Sequence, residues 1–233
     1  MNLQKLSFLC LWPLLVNLMV IQPAAHIPVT GAPLAAALHE EAAPLPTLDD
    51  FTTSLEPAQD GQITGLYVEN KLAYPVVQQP AGDAGFVSSL PDTLTEFALA
   101  RQFGGRGILA HNHLAGASFE QLATGDVLVV ILSGGQQQYY QINTVQRYQA
   151  LSPTSPQSNF RSLADDSLLT SSQLFHQTYG AGSGLVLQTC IAQGSELSWG
   201  RLFLLASPLP APVETADMAW DRFNLADYIV LTQ

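Results

Sequence analysis

Leu185-Val186-Leu187-Gln188-Thr189-Cys190 is an apolar run that ends in a thiol. Eleven residues later Arg201 opens a second apolar run, Leu202-Phe203-Leu204. Well before both, Gly107-Ile108-Leu109-Ala110 leads into His111-Asn112-His113. Three side chains able to do chemistry, His111, Cys190 and Arg201, therefore stand at the ends of strand-like segments. A thiol nucleophile needs a base or an ion-pair partner, and imidazole is the usual one. An oxyanion developing on an attacked carbonyl needs a donor, and a guanidinium offers a fixed cationic fork. The set is coherent for acyl transfer through a thioester. Its bland counterpart is a small buried cysteine and an arginine paired at the surface, and spacing alone leaves both readings open.

The composition narrows the class. Net charge is −11, from 8 Lys+Arg against 19 Asp+Glu, and no basic cluster occurs, which argues against a phosphate-backbone partner. The other cysteine, Cys10, sits in an apolar N-terminal run, so the folded part carries one thiol, with no disulfide framework and no paired-cysteine metal knuckle. No cofactor is expected.

The elements that must position these residues read as follows. Lys5 ahead of the apolar stretch 6–21 has the layout of a secretory signal peptide, and the stretch is also near the length of an uncleaved anchor, so residues 1–25 are expected to be one or the other. Residues 26–60, with Pro28, Pro33, Pro44, Pro46 and Pro57, read as a linker without regular helix beyond a turn around 34–41. The folded domain is expected over 61–207, with a C-terminal tail over 208–233. Within it, short β-like runs alternate with turns: 63–68 and 72–77 joined at Asn70-Lys71, 107–113, the doubly apolar 127–132, and 139–145. Asp92 to Gln102 reads as a short helix, with Thr93 and Glu96 as a capping box and Gly104 ending it. One helical turn over 117–122 and a short helix within 167–176 complete the reading. Many short strands with one or two short helices predict a mostly β barrel or sandwich.

Ala110-His111, followed by Phe119-x-x-Leu122 and Gly125-Asp126 ahead of a long apolar strand, resembles the histidine segment of the sortase family. Leu187-Gln188-Thr189-Cys190 is similar to that family's TLxTC strand end, with Val186 where the family carries Thr. Trp199-Gly200-Arg201-Leu202-Phe203 resembles the start of its arginine strand. The resemblance implies an eight-stranded sortase-like β-barrel over about 61–207 and cysteine transpeptidation of an LPxTG-like sorting signal. It further implies Cys190 as nucleophile, His111 as acid and base, Arg201 at the oxyanion or the substrate backbone, and Thr189 shaping the site. The implied partners are surface proteins bearing a sorting motif and an amine of the cell wall or a pilin, on the extracellular side of a membrane.

Three other readings compete. His111 and His113 form an H-x-H pair that could bind zinc with Cys190 or His176, although two histidines without a fixed third ligand are a weak signal. A papain-like hydrolase places cysteine before histidine, the reverse of the order here. A sortase-fold surface binding module without activity has no need of all three side chains. Trp199 is expected to anchor the barrel, and Arg101, Arg106, Arg147, Arg161 and Arg222 to be solvated or locally paired.

Overall fold

The structure, a computed structural model, describes residues 44–212 other than 181 and 183. The expected signal peptide or anchor, most of the expected linker and the tail from 213 onward lie outside these residues. The strands are β1 (Ile63–Val68), β2 (Leu72–Gln78), β3 (Leu94–Glu96), β4 (Arg106–Leu109), β5 (Val127–Leu132), β6 (Gln137–Ala150), β7 (Phe160–Ser162), β8 (Leu168–Leu169), β9 (Leu185–Gln193) and β10 (Glu196–Leu209). Two α-helices are present among the described residues, α1 (Leu48–Ser54) and α2 (Ser171–Tyr179).

Strand pairing runs β10-β9-β4-β3-β2-β1-β5-β6, and β6 pairs back onto β10, which closes an eight-stranded barrel. The short strands β7 and β8 extend from β6 outside the ring. The pairs β2–β3 and β4–β9 are parallel and the other pairs antiparallel. This is the mostly β architecture that the strand pattern predicts and the eight-stranded barrel that the sortase resemblance implies.

The interior is filled from alternate strand positions, as the period of two requires. Leu128, Val130 and Leu132 of β5, Leu185 and Leu187 of β9, and Leu202, Leu204 and Ala206 of β10 meet in one buried cluster. Each fully buried aliphatic side chain contributes about 1.5–3 kcal/mol, so this layer dominates the stability of the ring. The alternate positions, among them Val186, Gln188 and Cys190 of β9 and Phe203 and Arg201 of β10, face outward. There Val186 and Phe203 join Tyr148, Phe160, Leu174 and Tyr179 in a second cluster, and α2 covers it.

Helix α1 corrects the reading of 26–60 as lacking regular helix beyond 34–41. Thr47 caps it by accepting from Asp50 N at 3.2 Å, and Asp49 and Asp50 occupy its first turn, where the helix dipole favours acids. Its Phe51 is buried against Tyr67, Val129 and Ile131. Residues 47–55 thus pack on the barrel, and the doubly apolar character of β5 has its reason: one face looks into the ring and the other meets α1. Gly65 allows the close approach, because a Cβ there would meet Leu55 Cδ1 at 2.7 Å.

The expected helix over 92–102 is also corrected. Asp92 has φ 50° and caps nothing. Leu94–Glu96 is a strand, and only Ala98–Phe103 coils, as a 3-10 turn that Gly104 ends with φ 81°. Glu96 is not the acid of a capping box. Its carboxylate is buried, accepts from Ile63 N at 3.1 Å and pairs with Arg101 at 2.6 Å and Arg106 at 3.5 Å. A buried carboxylate requires such partners, and this need overrides the local helix signal. The 3-10 turn Ala115–Gln121 buries Phe119, and the expected helix within 167–176 is α2, whose Thr170 and Gln173 form a complete capping box.

Candidate active site

Cys190 lies inside β9 and Arg201 inside β10, not at a strand end and a strand start as the sequence predicts. The intervening residues form a hairpin through Gly194, which has φ 60°, with a slip in the ladder between Glu196 and Gly200. Beyond the slip, Cys190 and Arg201 are direct Cα partners. Opposed residues of an antiparallel pair project to the same face. By alternation with Leu187 and Leu202 inside the ring, that face is the outer one. Cys190 is a free thiol and half-buried.

On its other side β9 pairs in parallel with β4, with Leu109 opposite Gln188. Ala110 continues the contact: its N–H donates to Gln188 O at 3.2 Å, and its carbonyl accepts from the buried Thr189 hydroxyl at 2.9 Å. His111 follows directly, two residues past the last paired residue of β4, as Cys190 is two residues past Gln188 on β9. The chain then turns, and His111 O accepts from Leu114 N and Gly116 N, both at 3.0 Å. Cys190 and Arg201 therefore share one row on the outer face, and the segment that carries His111 is joined to β9 through Ala110. Thr189 lies one residue off that row, on the inner face, where it ties the histidine segment to β9. A Cβ on Gly116 would collide with Thr189 Oγ1 and His111 O, so this crossing requires glycine.

His111 is half-buried and His113 exposed. Their rings stack at 5.3 Å with 29° between planes. Both lie past β4 in a turn, so the strand geometry behind the zinc reading does not apply. His176 sits on α2 against Phe103 and Phe175. Among the described residues no three His, Cys, Asp or Glu side chains are grouped to hold a metal ion.

Arg201 is oriented by its own strand. Its Nη1 donates to Ser198 O at 2.9 Å and to Gly200 O at 2.8 Å, and its guanidinium carbon stands 6.0 Å from the Phe160 ring centre. Nε and Nη2 have no partner among the described residues, which leaves donors free on the face that carries Cys190. Tyr179 borders the same face. Its hydroxyl donates to Gln188 Oε1 at 2.7 Å, and burial pushes its ionisation far above the ordinary tyrosine range. It is a fixed neutral donor. Trp199, expected as a barrel anchor, is half-buried in the slipped stretch and belongs to none of the three apolar clusters among the described residues.

A pocket of about 260 Å³ opens beside Leu185, Val186 and Tyr179. At the rise of a β-strand, Leu185 is about 16 Å from Cys190, so this pocket is separate from the thiol row.

No protein-family model and no curated protein matches the sequence. Solved structures similar to the chain are sortases. Sortase A from Corynebacterium diphtheriae is 11% identical, with a TM-score of 0.45, over 67% of this chain and 65% of that one. The chain thus spans slightly less than two thirds of that structure. Sortase C1 from Streptococcus agalactiae is 14% identical, with a TM-score of 0.39, over 65% and 69%. Sortase C from Clostridium perfringens SM101 is 12% identical, with a TM-score of 0.40, over 70% and 82%.

Proposed function

We propose that the chain is a cysteine transpeptidase of the sortase type. The observation that supports this reading is the Cα pairing of Cys190 with Arg201, with the segment that precedes His111 bonded to β9 on the opposite side through Ala110. The Cys190 thiol gives its proton to His111, and its sulfur attacks the carbonyl of the Thr–Gly bond in an LPxTG-like signal. The free Nε and Nη2 donors of Arg201 hold the oxyanion or the adjacent backbone. His111 gives a proton to the departing glycine amine, the C–N bond breaks, and a thioester to Cys190 remains. An incoming amine attacks the thioester, His111 takes its proton, and the thiol is restored. Thr189 maintains the crossing that joins the histidine segment to β9.

In this reading the barrel with α1, residues 47–209, forms the transfer domain, and residues 1–25 direct or anchor it to the outer side of a membrane. Its substrates are surface proteins with a sorting motif, and the acceptor is an amine of the cell wall or a pilin. Among the described residues no helix is long and apolar enough to cross a membrane.

The test is mass spectrometry of the full-length protein with LPxTG-like peptides, with and without an added amine. The expected result is an acyl adduct on Cys190, cleavage after the motif threonine, and a joined product when the amine is present. An unmodified Cys190 with every peptide, together with slow alkylation in the folded state, replaces this reading with that of a binding module.

A further inference from the structure

Asn112, between the two histidines, is not used by the mechanism above. Its Nδ2 crosses to the β9–β10 hairpin and donates to Leu197 O at 2.9 Å. Leu197 lies in the stretch where the ladder slips between Glu196 and Gly200. Where a ladder slips, backbone groups lose their regular partners and are left to other donors. Here Ser198 N donates to Glu196 Oε1 at 2.8 Å, and Arg201 Nη1 donates to Ser198 O and Gly200 O. A single irregular segment therefore receives the Asn112 amide on one carbonyl and the Arg201 guanidinium on its neighbours. Gly200 admits no other residue, because a Cβ there would strike Tyr148 O on β6. The segment is fixed on the β6 side, and Asn112 holds it on the side of the histidines. Thr189 ties Ala110 to β9. Among the described residues, the Asn112 bond is the one side-chain hydrogen bond joining segment 110–113 to β10.

We propose that Asn112 is a positioning residue that couples the histidine turn to the arginine segment, so that His111 and Arg201 flank Cys190 together. The proposal rests on the transfer reading. Asn112 touches no reacting atom; it acts through the placement of His111 and of the carbonyls that orient Arg201.

The test follows alkylation of Cys190 by iodoacetamide in the full-length protein, reading the Cys190 peptide by mass spectrometry between about pH 5 and 9, the range in which imidazole titrates. His111→Ala is the reference that removes the imidazole-dependent part of the profile. Asn112→Ala and the volume-retaining Asn112→Leu are expected to reproduce the shape of that reference. They should slow alkylation about fivefold near neutrality, the equivalent of one neutral hydrogen bond, with melting temperatures at the wild-type value. Asn112 profiles that overlay the wild type while His111→Ala is displaced overturn the coupling and leave the transfer reading intact. A lowered melting temperature with a wild-type profile also overturns it, because that is the mark of a purely structural bond. A His111→Ala profile that matches the wild type overturns the transfer reading and the coupling with it.

Discussion

Cys190 and Arg201 are opposed residues of neighbouring antiparallel strands, and they share the outer face of the barrel. A one-residue change of register would put one of them inside the ring. The interior set Leu185, Leu187, Leu202 and Leu204 therefore holds the pair in place as firmly as any contact within the site.

Cys190→Ala is expected to abolish acyl-adduct formation while leaving the melting temperature close to the wild type. The thiol is half-buried and belongs to no apolar cluster among the described residues. A large fall in melting temperature would identify a structural cysteine instead. Arg201→Ala should lower turnover about a hundredfold or more, the scale of one lost oxyanion donor. Arg201→Lys should not restore it, because an ammonium cannot bond two strand carbonyls and still present a fork. Steady-state rates with the best peptide give both answers.

The two histidines separate by mutation. His111→Ala is expected to reduce turnover about a hundredfold, as loss of a general acid–base does. His113→Ala, at an exposed position in the turn, should leave the rate near that of the wild type. If His113→Ala does the greater damage, the imidazole that serves the thiol is the other one.

Thr189→Val keeps the shape of the side chain and removes the donor to Ala110 O. The carbonyl it abandons is buried at the crossing, so the variant should lose about 1–3 kcal/mol. Denaturant titration measures this. The same variant should lower turnover, because the bond holds the segment that carries His111.

Asp126 gives a pH test away from the site. Burial pushes its carboxyl up, but the hydrogen bonds from Lys71 and the Ala123 N–H, with the Lys71 charge, outweigh burial and hold it below the ordinary value. A depressed folded-state value contributes stability that is complete above the unfolded value and is lost as pH falls through the folded one. Asp126→Asn should therefore melt below the wild type at neutral pH, and the two should converge in acid. The difference should stay under about 1 kcal/mol, since the pair is solvent-accessible.

The sequence is informative where a side chain's role is local. The hairpin at Asn70-Lys71 and the strand β5 follow from a turn pair and a continuous apolar run, and a short helix within 167–176 is found as α2. Thr47-x-x-Asp50 ahead of Phe51 is a start signal for α1, but the surrounding prolines carry the opposite signal, that of a linker. Glu96 misleads for a different reason. A Thr three residues before a Glu reads as a cap, yet the carboxylate is needed in the interior by Ile63, Arg101 and Arg106. His111, Cys190 and Arg201 stand out by residue type, but the pairing of Cys190 with Arg201 and the parallel ladder that joins the histidine segment to β9 link distant segments, which no local pattern encodes.

That ladder also bears on how the chain folds. Thr189 and Ala110 are 79 residues apart, and β9 enters the ring between β4 and β10. Contacts of such long sequence separation are the slowest to form, because the chain entropy of closing the intervening loop is lost before the contact is made. The thiol gains its neighbours on both sides only when the ring closes. Its reactivity is therefore a clock for that step: in a refolding experiment the site-specific chemistry of Cys190 should emerge only with barrel closure.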